Sequence, residues 1–357
     1  MSSLREQIDG AVAMRLANGT IAYREYLSGA TEKLSGELSA LSKRASVELM
    51  ASGSAAIECG LRAGGIGAGD RVAICAYDYP GNFWAVERVG ARPVLFDVKP
   101  DSWRPDVDAL TSAIDRREVA AVVVSHLHGE EMDLQQIRSQ CDNRGVLLIE
   151  DACQSVGIAL ANNATTLGHM VAISFGGGKQ LSCGRGGALL TESAKLSQKA
   201  KIASGAGSGP YALSELQAEV VLAQLDFLQQ LEHTVGDYFG QVASELSRSN
   251  PGWKTPWVGE KHQNYKLNRG FYQAGFLVEH AIQADCVVRV LNENGIRAGS
   301  GFAGFHRRSS RRCDRAGSLI VTPQIVDRTV VVHHDIALTG RVGPIDLARM
   351  MLDVTKT

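Results

Sequence analysis

The chain has 357 residues, of which 45% are hydrophobic and 21% charged, with 37 lysines and arginines against 38 aspartates and glutamates. That composition belongs to a globular protein and excludes a disordered, collagen-like or strongly basic nucleic-acid-binding chain. At roughly 100–200 residues per domain the length suggests two domains, and no run approaches the ~20 apolar residues of a membrane helix.

Residues 1–19 carry charges throughout and no continuous apolar core, so they do not have the pattern of a secretory signal. The seven cysteines are odd in number and form no C-x-x-C pair. This predicts reduced thiols in a cytoplasmic protein rather than a disulfide framework or a structural zinc site.

From residue 50 onward, helical and strand-like segments alternate. Residues 54–63 (SAAIECGLRA) are helical in composition, and a glycine-rich turn, GGIGAGD, leads into the apolar run 72–76. A helix over 82–89, a strand over 92–97, a helix around 107–115 and a strand over 120–125 follow. Residues 134–144 read as a helix and 146–149 as a buried strand ending in Glu150 and Asp151; 170–173 form the next strand. Continuous Val/Ile/Leu strands alternating with helices predict an α/β fold with a mostly parallel central sheet covered on both faces. A helix-rich stretch from 214 to about 247 gives way to PGWKTPWVGEKHQ (251–263). This change predicts a large α/β domain over residues 1–232 and a smaller α+β domain over 233–357.

Two glycine-rich segments imitate nucleotide loops. GGIGAG (64–69) follows a helix and precedes a strand, the reverse of the dinucleotide fingerprint. GGGK (176–179) has Ile173 where a phosphate loop needs glycine and Gln180 where magnesium needs Ser or Thr. Neither supports nucleotide hydrolysis.

A different constellation carries chemistry. Asp151 ends one predicted strand and Lys179 lies in the glycine-rich loop after the next, and ligands of open parallel sheets sit outside the carboxyl ends of strands. A lysine that can form a Schiff base and an acid that can keep a pyridine nitrogen protonated are what pyridoxal phosphate chemistry requires. A capping aspartate and a surface lysine are the alternative for these two residues taken alone. Ser52, Gly53 and Ser54 open a helix, where free N–H groups and a hydroxyl suit a phosphate, although Ser54 would equally serve as a plain N-cap. Tyr79 follows the strand at 72–76, and Pro80 biases it to extended backbone from which its ring can stack on a planar ligand.

In collinear order the chain carries SGSAAI (52–57), AYDYP (76–80), GARPVLFDV (90–98), HLHG with Asp133, EDACQSVG (150–157), SFGGGKQLSCGRGGALLT (174–191) and LSELQAEVVLAQL (213–225). This series resembles the DegT/DnrJ/StrS family of sugar aminotransferases, fold-type I pyridoxal phosphate enzymes. The resemblance implies a large domain with a mostly parallel sheet and a smaller C-terminal α+β domain. It implies that Lys179 forms the Schiff base and shuttles the proton, that Asp151 partners the pyridine nitrogen, and that Gln154 lies near the phenolic oxygen. It further implies that Ser54, the Ala55 backbone and Ser174 bind the phosphate and that Tyr79 stacks on the ring. The implied enzyme is a cytoplasmic homodimer that moves an amino group from glutamate or glutamine to a keto-sugar, keto-cyclitol or related biosynthetic ketone. Racemisation, elimination or a carbon–carbon bond step on the same cofactor is the alternative, followed by a non-catalytic regulatory role.

The chain also departs from the family pattern. Arg185 stands where a glutamate is usual, and Pro210 and Ala212 replace an asparagine and a cation in the segment that reaches across the dimer. His126-x-His128 lacks further ligands at zinc spacing, so no metal is expected. The run HRRSSRR (306–312) falls near a family substrate loop, but such a basic run is expected to be a solvated loop.

Overall fold

The computed structural model describes residues 2–17, 29–160, 166–205, 209–258 and 270–354. Ser208 and residues 259–263 of the Trp/Pro/Lys-rich passage lie outside them. Seven strands of the first two hundred residues belong to one sheet: β1 (Ser46–Met50), β2 (Arg71–Cys75), β3 (Arg92–Phe96), β4 (Ala121–Ser125), β5 (Leu147–Asp151), β6 (Met170–Ser174) and β7 (Gly187–Thr191). Later in the chain come β8 (Gln273–Leu277), β9 (Ala298–Gly299), β10 (Asp314–Arg315) and β11 (Thr329–His333). The large sheet runs β1-β7-β6-β5-β4-β2-β3-β10, and β8-β11-β9 form a second sheet.

Strands β10, β3, β2, β4, β5 and β6 pair in parallel, while β7 is antiparallel to both β6 and β1. The predicted fold is therefore the observed one, and β1 and β7 are strands that the sequence reading did not single out. From β2 the chain moves to β3, then crosses back to place β4 on the other side of β2. That reversal opens a crevice at the carboxyl ends of β2 and β4, the place where such sheets bind ligands.

Composition explains the central position of β4. All five of its residues are buried, and each valine contributes roughly 1.5–3 kcal/mol by leaving water. Local signals fix the flanking helices. Asp106 caps Val107–Asp115 by accepting from the Asp108 and Ala109 amides, and Gly145, in the left-handed region, ends Gln135–Arg144. The helix-rich stretch expected from 214 to about 247 consists of two helices, Glu215–Leu225 and Leu228–Ser249, with the 232/233 boundary inside the second. Leu228–Ser249 buries an apolar stripe, including Leu231, Val235, Phe239, Val242 and Leu246, in the core that also takes in β8 and β11. No helix among the described residues is long and apolar enough to cross a membrane.

Candidate active site

The crevice contains a cavity of about 450 Å³. Ser54, Tyr79, Asp151, Gln154, Ser174 and Lys179 all line it. These are six of the seven predicted site residues, drawn from four segments of the large sheet. Ala55 is the exception.

Ser52, rather than Ser54, caps the helix Gly53–Ala63, and its hydroxyl accepts the Ala55 N–H at 3.0 Å. The Ala55 amide expected to meet a phosphate is therefore engaged by the cap, and Ala55 itself is buried. Because Ser54 is not the cap, its hydroxyl is left to the cavity, which Ser52 and Gly53 also line. Gly53 is required by close approach: a Cβ there would lie 2.4 Å from Cys153 Sγ and 3.1 Å from Ser174 Cβ. The start of this helix, with its positive dipole end, thus rests on the ends of β5 and β6, the geometry of an anion site.

Asp151 completes β5 with 4% exposure. Its Oδ1 accepts from Cys153 N at 2.9 Å, and its Oδ2 accepts from Asn82 Nδ2 at 2.9 Å and Ser125 Oγ at 3.3 Å. Neutral donors thus orient the carboxylate. Tyr79, at the start of helix Pro80–Arg88, has the extended backbone that Pro80 imposes (φ −64°, ψ 131°) and is 44% exposed. Gln154 accepts the His128 amide through Oε1 at 3.1 Å.

Lys179 follows Gly178, whose φ of +81° makes a turn that side-chain-bearing residues resist. The Lys179 Nζ lies 4.0 Å from the centre of the Tyr272 ring. Burial lowers its pKa, opposed by the Cys153 and Asp151 charges, which favours the neutral amine. His333, at the end of β11, donates from Nε2 to the Gly178 carbonyl at 3.0 Å, while its Nδ1 accepts from Asp335 N at 3.2 Å. Asp335 in turn binds Arg297 at 2.8 Å and Arg5. Residues far along the chain therefore hold the lysine loop from the terminal side.

His126 and His128 do not form a metal site. His126 Nδ1 accepts from Met132 N and its Nε2 bonds Glu150 at 2.7 Å, so both ring nitrogens are engaged inside the protein. His128 bonds the Tyr77 hydroxyl at 2.9 Å, and burial, reinforced by the Lys179 charge, pushes its pKa down to about 3. Among the described residues, His333, His334 and Asp335 are the one cluster with metal-ligand spacing, and two arginines already bind its carboxylate.

Arg185 is exposed and lines the cavity, whereas Pro210 is exposed outside it. The basic run stays away from the cavity: Arg312 pairs with Glu87, and the Ser310 and Arg311 carbonyls accept from Arg92. Sequence reasoning missed Asn82, Ser125, Tyr272 and His333. Ser125 had a signal, as the one polar residue closing an otherwise apolar strand, and Asn82 had a weaker one, one helical turn beyond Asp78. His333 had the same signal as Ser125, closing the valine run of β11, but nothing local tied it to Lys179, and Tyr272 had none.

An open, mostly parallel sheet with an acid and a lysine facing one crevice is the arrangement of a fold-type I architecture. The sequence profile of the DegT/DnrJ/EryC1/StrS aminotransferase family matches residues 11–342, and the chain belongs to that family. It is 33% identical over 229 residues to the erythromycin biosynthesis sensory transduction protein EryC1 of Saccharopolyspora erythraea, covering 63% of this chain and 60% of the relative. It is also 33% identical over 209 residues to a dTDP-3-amino-3,4,6-trideoxy-alpha-D-glucose transaminase of Streptomyces venezuelae (57% and 53%). The chain thus spans only 60% and 53% of the length of these two curated relatives. A DegT DnrJ EryC1 StrS aminotransferase from Brucella abortus has the same fold, with a TM-score of 0.78 and 22% identity over 99% of this chain and 95% of that one. So does NtdA of Bacillus subtilis, solved with bound cofactor PMP, at TM-score 0.76 and 21% identity over 99% of this chain and 82% of that one.

Proposed function

We propose that the protein is a pyridoxal phosphate-dependent aminotransferase that moves an amino group from glutamate or glutamine to a keto-sugar, keto-cyclitol or related biosynthetic ketone. The observation that carries this reading is the placement of the Lys179 amine and the Asp151 carboxylate on one cavity, with the start of a helix at its edge.

The donor set fits the cofactor. Gly53, Ser54 and Ser174 would hold its phosphate, with no side chain on Gly53 to obstruct the approach. Tyr79 would flank the ring, Gln154 would face its phenolic oxygen, and Asp151 would hold the proton on its nitrogen. When bound, pyridoxal phosphate supplies an aldehyde that condenses with amines and a ring that accepts electrons from the substrate carbon. The desolvated Lys179 supplies the amine. Once released, that same Nζ takes the proton from the donor α-carbon and later delivers one to the acceptor carbon. Tyr272 and His333 keep the amine and its loop oriented during both transfers. Arg185 adds a cation to the cavity wall.

In this reading the protein is a cytoplasmic homodimer. The large sheet, apart from β10, forms with its helices a cofactor-binding part to about residue 232, and the β8-β11-β9 sheet belongs to a smaller terminal part. Its partners are small molecules rather than nucleic acid or membrane. The relatives support the acceptor class, since two of them are named as a dTDP-amino-sugar transaminase and an L-glutamine:2-deoxy-scyllo-inosose aminotransferase from Streptomyces kanamyceticus.

The test has two stages. Protein mixed with pyridoxal phosphate should turn yellow, and borohydride should bleach it and fix the cofactor to Lys179; a colourless protein sinks the reading. Mass spectrometry of products from a panel of keto-sugars and keto-cyclitols with glutamate or glutamine then identifies the acceptor. A yellow protein that accepts no amino donor belongs instead to racemisation, elimination or carbon–carbon bond chemistry.

A further inference from the structure

Behind Asp151 lies a second carboxyl that the proposed reaction does not use. Asp78, just past β2, is fully buried. Its Oδ1 accepts from Tyr79 N at 2.7 Å and Asn82 Nδ2 at 3.2 Å, and its Oδ2 accepts from Ser125 Oγ at 3.0 Å. The same Ser125 hydroxyl lies 3.3 Å from Asp151 Oδ2, and the same Asn82 amide lies 2.9 Å from it. The two carboxyls thus share both of their side-chain partners.

Counting protons shows what the cluster lacks. Ser125 carries one hydroxyl proton and cannot donate to both carboxylates at once. Asn82 Nδ2 carries two and faces three acceptors: Asp78 Oδ1, Asp151 Oδ2 and Ser125 Oγ. All of the donors bonded to the pair are neutral. Two buried carboxylates with one backbone amide each and only shared, neutral side-chain donors cannot both ionise freely, because each raises the cost of charging the other.

We propose that Asp78 and Asp151 share one proton through the Ser125 hydroxyl and that Asp78 holds it, making Asp78 a positioning residue that presents Asp151 as a carboxylate. The hydrogen bonds then run in one direction: Asp78 Oδ2–H donates to Ser125 Oγ, and Ser125 Oγ–H donates to Asp151 Oδ2. A concerted shift along that line moves one proton from Asp78 to Asp151 and leaves the charge of the pair unchanged.

The surroundings place the proton on Asp78. Asp151 lines the cavity, whereas Asp78 is sealed behind it with no exposure at all. Among the described residues, the titratable groups that face Asp78 are Asp151, the Cys75 and Cys153 thiols and the Tyr77 phenol, none of them cationic. Burial, then the Asp151 charge, raises the Asp78 pKa to about 7, against the pull of its hydrogen bonds.

This inference rests on the proposed function only in giving Asp151 a ring nitrogen to face, so it is tested before cofactor is added. Infrared spectra of the full chain in heavy water, over about pH 5–9, are compared with those of Asp78→Asn, whose fold is verified by circular dichroism. The expected difference spectrum contains a protonated carboxyl band at about pH 6 that titrates away with a midpoint near the value of about 7. Glu130, another buried carboxyl pushed upward by burial, is common to both proteins and cancels. Asp151→Asn should lower the midpoint, because Asp78 then has no charged neighbour, and Ser125→Ala, which keeps both carboxyls, should shift it. Absence of the difference band, or a midpoint unchanged in both Asp151→Asn and Ser125→Ala, overturns the proposal. A protein that stays colourless with pyridoxal phosphate would sink the aminotransferase reading and leave the shared proton standing.

Discussion

The two ends of the crevice are held in place by different parts of the molecule. At the acid end, Asp151, Ser125, Asn82 and Asp78 all come from β5, β4 and the segment following β2, and their mutual hydrogen bonds fix them within the large sheet. At the amine end, Lys179 sits on a glycine loop that Tyr272 and His333 steady from the second sheet, 93 and 154 positions further along the chain. The acid end is therefore a property of the sheet, and proton affinity is what a substitution there should change. Substitutions at the amine end should change placement, because the contacts that fix the lysine come from another layer.

Lys179→Ala tests the amine end most severely. It should abolish the yellow colour with pyridoxal phosphate and reduce turnover more than about 10⁴-fold, read by absorbance and by product formation. Colour retained in this variant would transfer the role to another amine.

The next largest effect belongs to the acid end. The folded protein holds the Asp78 proton more tightly than an unfolded chain does, so it binds more protons wherever the unfolded aspartate is already ionised. Stability should therefore fall as pH rises from about 4 to about 7, by about 4 kcal/mol in total, and level off above. Asp78→Asn should flatten that slope, measured by urea unfolding at several pH values. An equal slope in both proteins would remove the distinction drawn for this end.

Asp151→Ala should leave the colour and lower turnover by about 10²–10³-fold, because the ring nitrogen loses its proton-holding partner while Lys179 is untouched. Unchanged turnover would mean that the carboxylate is misassigned. His333→Gln should have the smallest effect. Loss of its bond to the Gly178 carbonyl is worth about 1 kcal/mol, roughly a fivefold fall in kcat with little change in melting temperature. A large fall in melting temperature instead would make His333 a core residue rather than a brace of the lysine loop.

The same division decides what was legible in the sequence. β2 to β6 and their helices were readable because their Val/Ile/Leu runs and capping residues are local signals, and Asp151, Ser174 and Lys179 lie at or just beyond strand ends, where topology sends them to one crevice. Ser54 was readable as part of a helix start. Ser52 and Ser54 offer the same hydroxyl, and only the backbone angles show that Ser52 is the cap and that it engages the Ala55 amide. β7 was hidden in the glycine-rich stretch after the lysine, where Gly187 must lie against the Gly53 backbone: a Cβ there would sit 2.6 Å from Gly53 N. The part Tyr272 and His333 play at the lysine loop was not legible because it depends on how the second sheet docks, which no local pattern encodes.

The two-residue strand β10 has a consequence beyond the site. It lies in parallel beside β3, held by the Arg92–Asp314 pair at 2.7 Å, with Ala316 N bonding the Leu95 carbonyl. Without it, β3 would be the bare edge of a long, apolar parallel sheet, with the backbone groups of Val94 and Leu95 open to another chain. The terminal third of the sequence therefore also covers the β3 edge of the large sheet, and deleting residues 306–316 should show first as aggregation.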